Sequence, residues 1–141
     1  MIQLKLSSAH GRSGDAQALL DALGAQPAEL AGVLVEMLER AEAGIAIKDA
    51  ISGRYLHVSA RYATLFGHTP QDMVGHADTE LMEPGEAAAM RVGEQAALQQ
   101  TLPTLSEQRL ERDGQRREFS VTRLMMARAD SDAPRLVCSM W

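Results

Sequence analysis

Aromatic residues are scarce in this sequence: one Trp, two Tyr and two Phe among 141 residues. Hydrophobic residues still make up 45%, with eight methionines. So large an apolar fraction excludes a disordered chain and points to a core filled by aliphatic and thioether groups. Cysteine is nearly absent. Cys138 alone excludes a disulfide framework and a Cys-rich zinc site, and fits a reducing, cytoplasmic setting. Basic charge is in deficit: 14 Lys and Arg against 19 Asp and Glu leave a net charge of −5. A phosphate backbone would be repelled overall, so direct nucleic-acid binding is not expected. No apolar run approaches the roughly 20 residues that cross a bilayer, and "MIQLKLSSAHGRS" lacks the apolar stretch of a secretory signal. There is no Gly-x-Ser-x-Gly elbow, and "GHTPQDMVG" lacks the Gly-Lys-Ser/Thr end of a phosphate loop. No positioned nucleophile or acid–base pair is readable, so an enzyme is not expected.

What remains fits one domain. "SGDAQALLDALG" reads as a short helix, with Ser13 or Asp15 capping its start and Gly24 ending it. "QPAELAGVLVEMLERAEAG" is a clearer helix, with Pro27 in the first position and Leu30, Val33, Leu34, Met37, Leu38 and Ala41 forming one apolar stripe. The pattern then changes period. "IAIKD" and "RYLHVS" read as a hairpin around Gly53. "ARYATLFG" gives a helical turn or two. "TPQDMVG" opens another short helix, with Thr69 as cap and Pro70 next. "DTELMEPGEAAAMRVGEQAALQQ" is rich in helix formers, and Pro84-Gly85 divides it into a short piece and a longer helix from about Glu86. "TLSEQRLERDGQRREFSVTRLMMARA" is a second hairpin turning at Asp113-Gly114, "ADSDAP" a further turn, and "RLVCSMW" a last strand. Strands at both ends with helices between them suggest an α+β fold: one antiparallel sheet covered on one face. Strand order is left open.

From Gly44 onward the chain resembles the PAS family of sensor domains. The stretches that carry the resemblance are "DAISGRYLHVSARYATLFGHTPQDMVGHADTELM" and "ERDGQRREFSVTRLMM", with Asp49, Gly53, Val58, Phe66, Gly67, Gly75 and Asp78 in the family's places and Ser59 where an Asn is common. The resemblance implies a five-stranded antiparallel sheet with short helices enclosing a cavity on one face. It divides the chain into an N-terminal extension with a short helix (1–26), an amphipathic flanking helix (27–43) and a PAS-like sensor domain (44–141). It implies a non-catalytic sensory module of a bacterial signal-transduction protein, such as a two-component system. That module would bind a small molecule or partner and relay to an output domain beyond Trp141: histidine kinase, diguanylate cyclase or transcription factor. Family members usually continue past this point through an acidic-apolar-Thr signature, so the chain is expected to be a fragment of a larger protein. The alternative is a ligand-free dimerisation module.

The site residues follow from strand alternation and from the resemblance. Ile45 and Ile47 share one strand face; Phe119, Val121 and Arg123 share another. With Val58, Ser59, Phe66, Met73, Met82 and Met90 they form the candidate ligand pocket, although Met is as well suited to filling such a space. Arg123 is read as a surface or structural salt bridge, or, if inward, as a fork for a carboxylate ligand. Leu30, Val33, Leu34, Met37 and Leu38 are the candidate dimer face. His57, His68 and His76, on a strand and two turns, read as structural rather than metal-binding, so no metal is expected. Haem sensors of the family take a His from the longer helix, and Glu83–Gln100 has none; flavin photochemistry needs a Cys in a short helix, and Cys138 lies in the last strand. The mixed charges from Glu107 to Glu118 read as a solvated hairpin face, or as a surface for a neighbouring domain.

Overall fold

The computed structural model describes residues 9–100, 103–129 and 134–141. Two helices lead, α1 (Ala9–Leu23) and α2 (Pro27–Arg40). β1 (Ile45–Asp49), β2 (Tyr55–Val58), three short helices α3 (Ala60–Leu65), α4 (Pro70–Met73) and α5 (Asp78–Leu81), and the longer α6 (Pro84–Leu98) follow. β3 (Thr104–Arg112), β4 (Gln115–Ala127) and β5 (Pro134–Met140) end the chain. The five strands form one antiparallel sheet in the order β2-β1-β5-β4-β3. This is the PAS-like α+β architecture, with the last strand inserted between the two hairpins. The expected turn "ADSDAP" falls largely on residues 130–133, outside the described residues.

Local chemistry places the short elements. Thr69 accepts from the Asp72 backbone N–H at 3.3 Å while Asp72 accepts from that of Thr69 at 3.4 Å, a capping box with Pro70 in the first turn. Asp113 and Gly114 both have positive φ, 53° and 74°, as a two-residue turn between twisted strands requires. Two expectations shift. α1 begins at Ala9, so Ser13 and Asp15 lie inside the helix rather than at its cap. α6 begins at Pro84, two residues before Glu86, because a Pro without N–H is tolerated in a helix's first turn.

The sheet's two faces differ sharply. In β1 Ala46 and Lys48 point into the helix-covered side, while Ile45, Ile47 and Asp49 lie between them with partial exposure. All five aromatic residues of the chain line up inside: Tyr55 against Tyr62, Tyr62 against Phe66, Phe66 and Tyr62 edge-on to Trp141, and Phe119 against Trp141, with centroids 4.8–5.9 Å apart. Such offset and edge-on pairs contribute about 0.5–1.5 kcal/mol each beyond their buried area. The sequence's few aromatics are thus concentrated in one cluster. Two backbone hydrogen bonds between Gly44 and Trp141, 2.9 and 2.8 Å, tie the start of β1 to the end of β5.

The amphipathic α2 buries none of its residues. Val33, Leu34 and Met37 are 46%, 48% and 62% exposed, so the stripe does not pack into the core. From α1 the Arg12 guanidinium donates to the Met125 carbonyl of β4 at 3.0 Å.

Candidate functional site

At the end of the interior away from Trp141, the core is charged. Lys48 on β1 is only 3% exposed and donates through Nζ to both Asp78 at the start of α5 and Glu94 on α6. Its ammonium also lies 4.6 Å from the centroid of the Tyr55 ring. The Tyr55 hydroxyl donates to Asp78 Oδ1 at 2.6 Å and shares a 2.8 Å hydrogen bond with the Tyr62 hydroxyl. Burial and the neighbouring charges push the Tyr55 phenol far above its ordinary range; burial does the same to Tyr62. Both therefore stay neutral donors. Burial also raises Glu94, outweighing the pull of Lys48.

Arg123, 1% exposed, is the second buried cation. It donates to Ser106 Oγ at 2.9 Å and to the Gln108 side-chain oxygen, both on β3. Gly93 of α6 makes room for it: a Cβ at that position would stand 2.6 Å from Nη1. Arg123 points inward rather than to the surface, and its partners are neutral groups of the chain itself. Burial lowers its pKa, with Glu94 the first of the charges acting against that.

The expected pocket residues divide. Val58, Phe66, Met73, Met90 and Val121 meet in one buried cluster with Tyr55, Tyr62 and Trp141, and Met82 and Phe119 pack against it. Ser59 is buried too: its Oγ accepts from the backbone N–H of Ile45 at 3.0 Å and of Tyr62 at 3.2 Å, capping α3. Ile45 and Ile47 do not join them. The alternation is as expected but its phase is opposite, because Ala46 and Lys48 take the inner face. The pocket expected among these residues is a filled core.

Open clefts lie beside them, and one of about 230 Å³ includes Phe119 in its lining. A cleft of about 270 Å³ is bounded by the β1–β2 turn at Ser52 and Gly53, by Asp78 and Thr79, by Ala87, Arg91, Glu94, Gln95 and Leu98 of α6, and by Val137. None of the eleven expected pocket residues lines it. The sequence signal that was available is Lys48: a charged residue in phase with Ala46 on a short strand must find buried partners.

The histidines and the cysteine act locally. His68 Nε2 is 2.9 Å from the Leu81 carbonyl, and His76 Nδ1 is 3.3 Å from Glu80. Among the described residues no group of three or more His, Cys, Asp or Glu side chains converges as a metal site would. Cys138 is partly buried, and burial pushes its thiol up. Asp49 accepts from the backbone N–H groups of Ile51 and Ser52 at 2.8 and 2.9 Å, which lowers its carboxyl and shapes the β1–β2 turn. On the second hairpin, Arg109 pairs with Glu118 and Arg112 with Glu86.

The sequence matches the family described as PAS fold over residues 38–139. The chain belongs to the PAS family. No curated protein matches it. Among solved structures this PAS domain is similar to a domain of an HTR-like protein from Haloarcula marismortui: 18% identity, TM-score 0.58, 70% of this chain and 94% of that one covered. The PAS domain of Bordetella pertussis BvgS is 15% identical with TM-score 0.62, over 80% of this chain and 85% of that one. The VqmA–ligand–DNA complex from Vibrio cholera is 14% identical with TM-score 0.61, over 76% of this chain and 50% of that one. At these identities the likeness is one of fold. PAS domains are sensory modules of signalling proteins and are generally non-catalytic. No single helix among the described residues is long and apolar enough to cross a membrane.

Proposed function

We propose that this PAS domain is a non-catalytic sensor whose ligand is a small polar molecule held in the cleft against α6. The observation that carries the reading is that Asp78 and Glu94, the two carboxylates paired with the buried Lys48, line that cleft. A volume of about 270 Å³ lies at the low end for ligand sites and favours a small occupant. The structural neighbour VqmA forms a complex with a ligand, which supports ligand binding in this fold.

The cluster also supplies a means of relay. Lys48 joins β1 to α5 and α6 through charge-assisted hydrogen bonds. A ligand that engages Glu94 or Asp78 changes the balance of those bonds. β1 is continuous with Gly44, which is held to Trp141, so the change reaches the end of α2 and the end of β5 together. Signal then passes by differential affinity of the ligand for two arrangements of these elements, to an output domain such as a kinase, a diguanylate cyclase or a transcription regulator. A thermal-shift screen with polar metabolites, followed by native mass spectrometry, tests the reading: a bound small molecule whose effect is lost in Glu94→Gln supports it, and a chain that binds nothing in either assay overturns it.

A dimerisation role is favoured by a separate observation, the exposed stripe Val33, Leu34 and Met37 on α2. It predicts a concentration-dependent dimer that Leu34→Asp disrupts. Light scattering that finds only monomer at high concentration removes it.

A further inference from the structure

We propose that the cleft against α6 takes a free α-amino acid or an equally small zwitterion, its ammonium on Glu94 and its carboxylate on Arg91. This deepens the small-molecule reading of the same cleft and rests on it.

Three charged side chains line the cleft: Asp78, Arg91 and Glu94. Asp78 is committed on both oxygens, Oδ1 to the Tyr55 hydroxyl and Oδ2 to Lys48. Glu94 is committed on one. Lys48 holds Oε1, and among the described residues Oε2 accepts no hydrogen bond. Arg91, exposed on the same helix, forms no ion pair among the described residues. Residues three apart on a helix are neighbours on its surface, and an Arg–Glu pair at that spacing would ordinarily close on itself. Here Lys48 holds Glu94, and no ion pair joins Glu94 to Arg91.

A neighbouring free carboxylate oxygen and free guanidinium are complementary to a molecule that carries an ammonium and a carboxylate on one carbon. An amine alone would leave Arg91 unused, and a carboxylic acid alone would meet Glu94 with like charge, a specificity built from repulsion as much as attraction. A ligand ammonium would also favour the ionised form of Glu94, which burial disfavours. Gln95, Thr79 and Ser52 supply polar groups, while Ala87, Leu98 and Val137 offer apolar surface to a short side chain.

The test is isothermal titration of the full chain with the standard free amino acids. The best binder is then compared with its methyl ester, which lacks the carboxylate, and with the matching 2-hydroxy acid, which lacks the ammonium. Each analogue is expected to bind at least about tenfold more weakly, the loss of one charge-assisted contact. Arg91→Ala, an exposed change that leaves the fold intact, should weaken the amino acid to the level of its ester and leave the ester unchanged. Glu94→Gln should remove the preference over the hydroxy acid. An ester that binds as tightly as its amino acid, or an Arg91→Ala variant with undiminished affinity, overturns the proposal. If no amino acid binds while another polar metabolite does, the zwitterion assignment falls and the sensory reading of the cleft survives. If nothing binds, both fall.

Discussion

At one end of the interior, Phe66, Phe119 and Trp141 pack ring against ring with Tyr62. At the other, Lys48, Asp78 and Glu94 lie among buried side chains within the same domain. Tyr62 belongs to both, its ring on Phe66 and its hydroxyl on Tyr55. The aromatic end is held by contacts that need no particular charge state. The charged end is costly to bury, and ion pairs of this kind are often no more stabilising than apolar side chains of equal volume. What the charged end adds is direction: each bond fixes one strand or helix relative to another, and each is open to competition from the cleft. On the proposed reading, the aromatic end serves stability and the charged end serves response.

The largest expected effects test that division directly. Phe66→Ala removes the ring that touches both Tyr62 and Trp141 and should cost about 3–5 kcal/mol in urea unfolding, as large-to-small core changes do. Lys48→Met should cost a similar amount, about 3–5 kcal/mol, because two carboxylates are left buried without their cation. The two losses should then separate. Adding Asp78→Asn and Glu94→Gln to Lys48→Met should recover most of the loss, whereas no polar change rescues Phe66→Ala. A triple variant as unstable as Lys48→Met alone would break the comparison.

A smaller effect concerns Arg123. Gly93→Ala puts a methyl 2.6 Å from Nη1 and should destabilise by about 1–3 kcal/mol, as overpacking does. In an Arg123→Met background the same change should be neutral or favourable, since Ala is about 1 kcal/mol better than Gly inside a helix. Additive effects in this double-mutant cycle would show that the guanidinium does not occupy the space under Gly93.

The pH dependence sharpens the charged end further. Glu94 has its folded pKa raised by burial, so the folded chain holds this proton more tightly than the unfolded chain does. Its contribution is fully present below the ordinary glutamate pKa and is lost as pH rises through the raised folded value. The stability of the wild type relative to Glu94→Gln should therefore improve as pH falls from neutral toward the ordinary glutamate range. Chemical denaturation of both proteins across that range checks the sign, and a difference that worsens on acidification contradicts it. The smallest effect lies outside both ends. Thr69→Ala removes the cap of α4 and should cost about 1 kcal/mol with no change in ligand binding.

The sequence by itself determined the elements. Hydrophobic period separated the flanking helix from the strands, Thr69-Pro70 and Asp113-Gly114 marked a cap and a turn, and the ordered pattern from Asp49 to Asp78 carried the family. These are local signals, set by backbone geometry within a few residues. The site was not local. Lys48 meets Asp78 and Glu94 across 30 and 46 residues, and no spacing rule ties three side chains on a strand and two helices. Even the phase of β1 depended on them, since Ile45 and Ile47 read as the better core residues until Lys48 found two carboxylates inside. Only the tertiary structure decided which charges are buried, because burial of a charge is set by the partners that arrive from elsewhere in the chain.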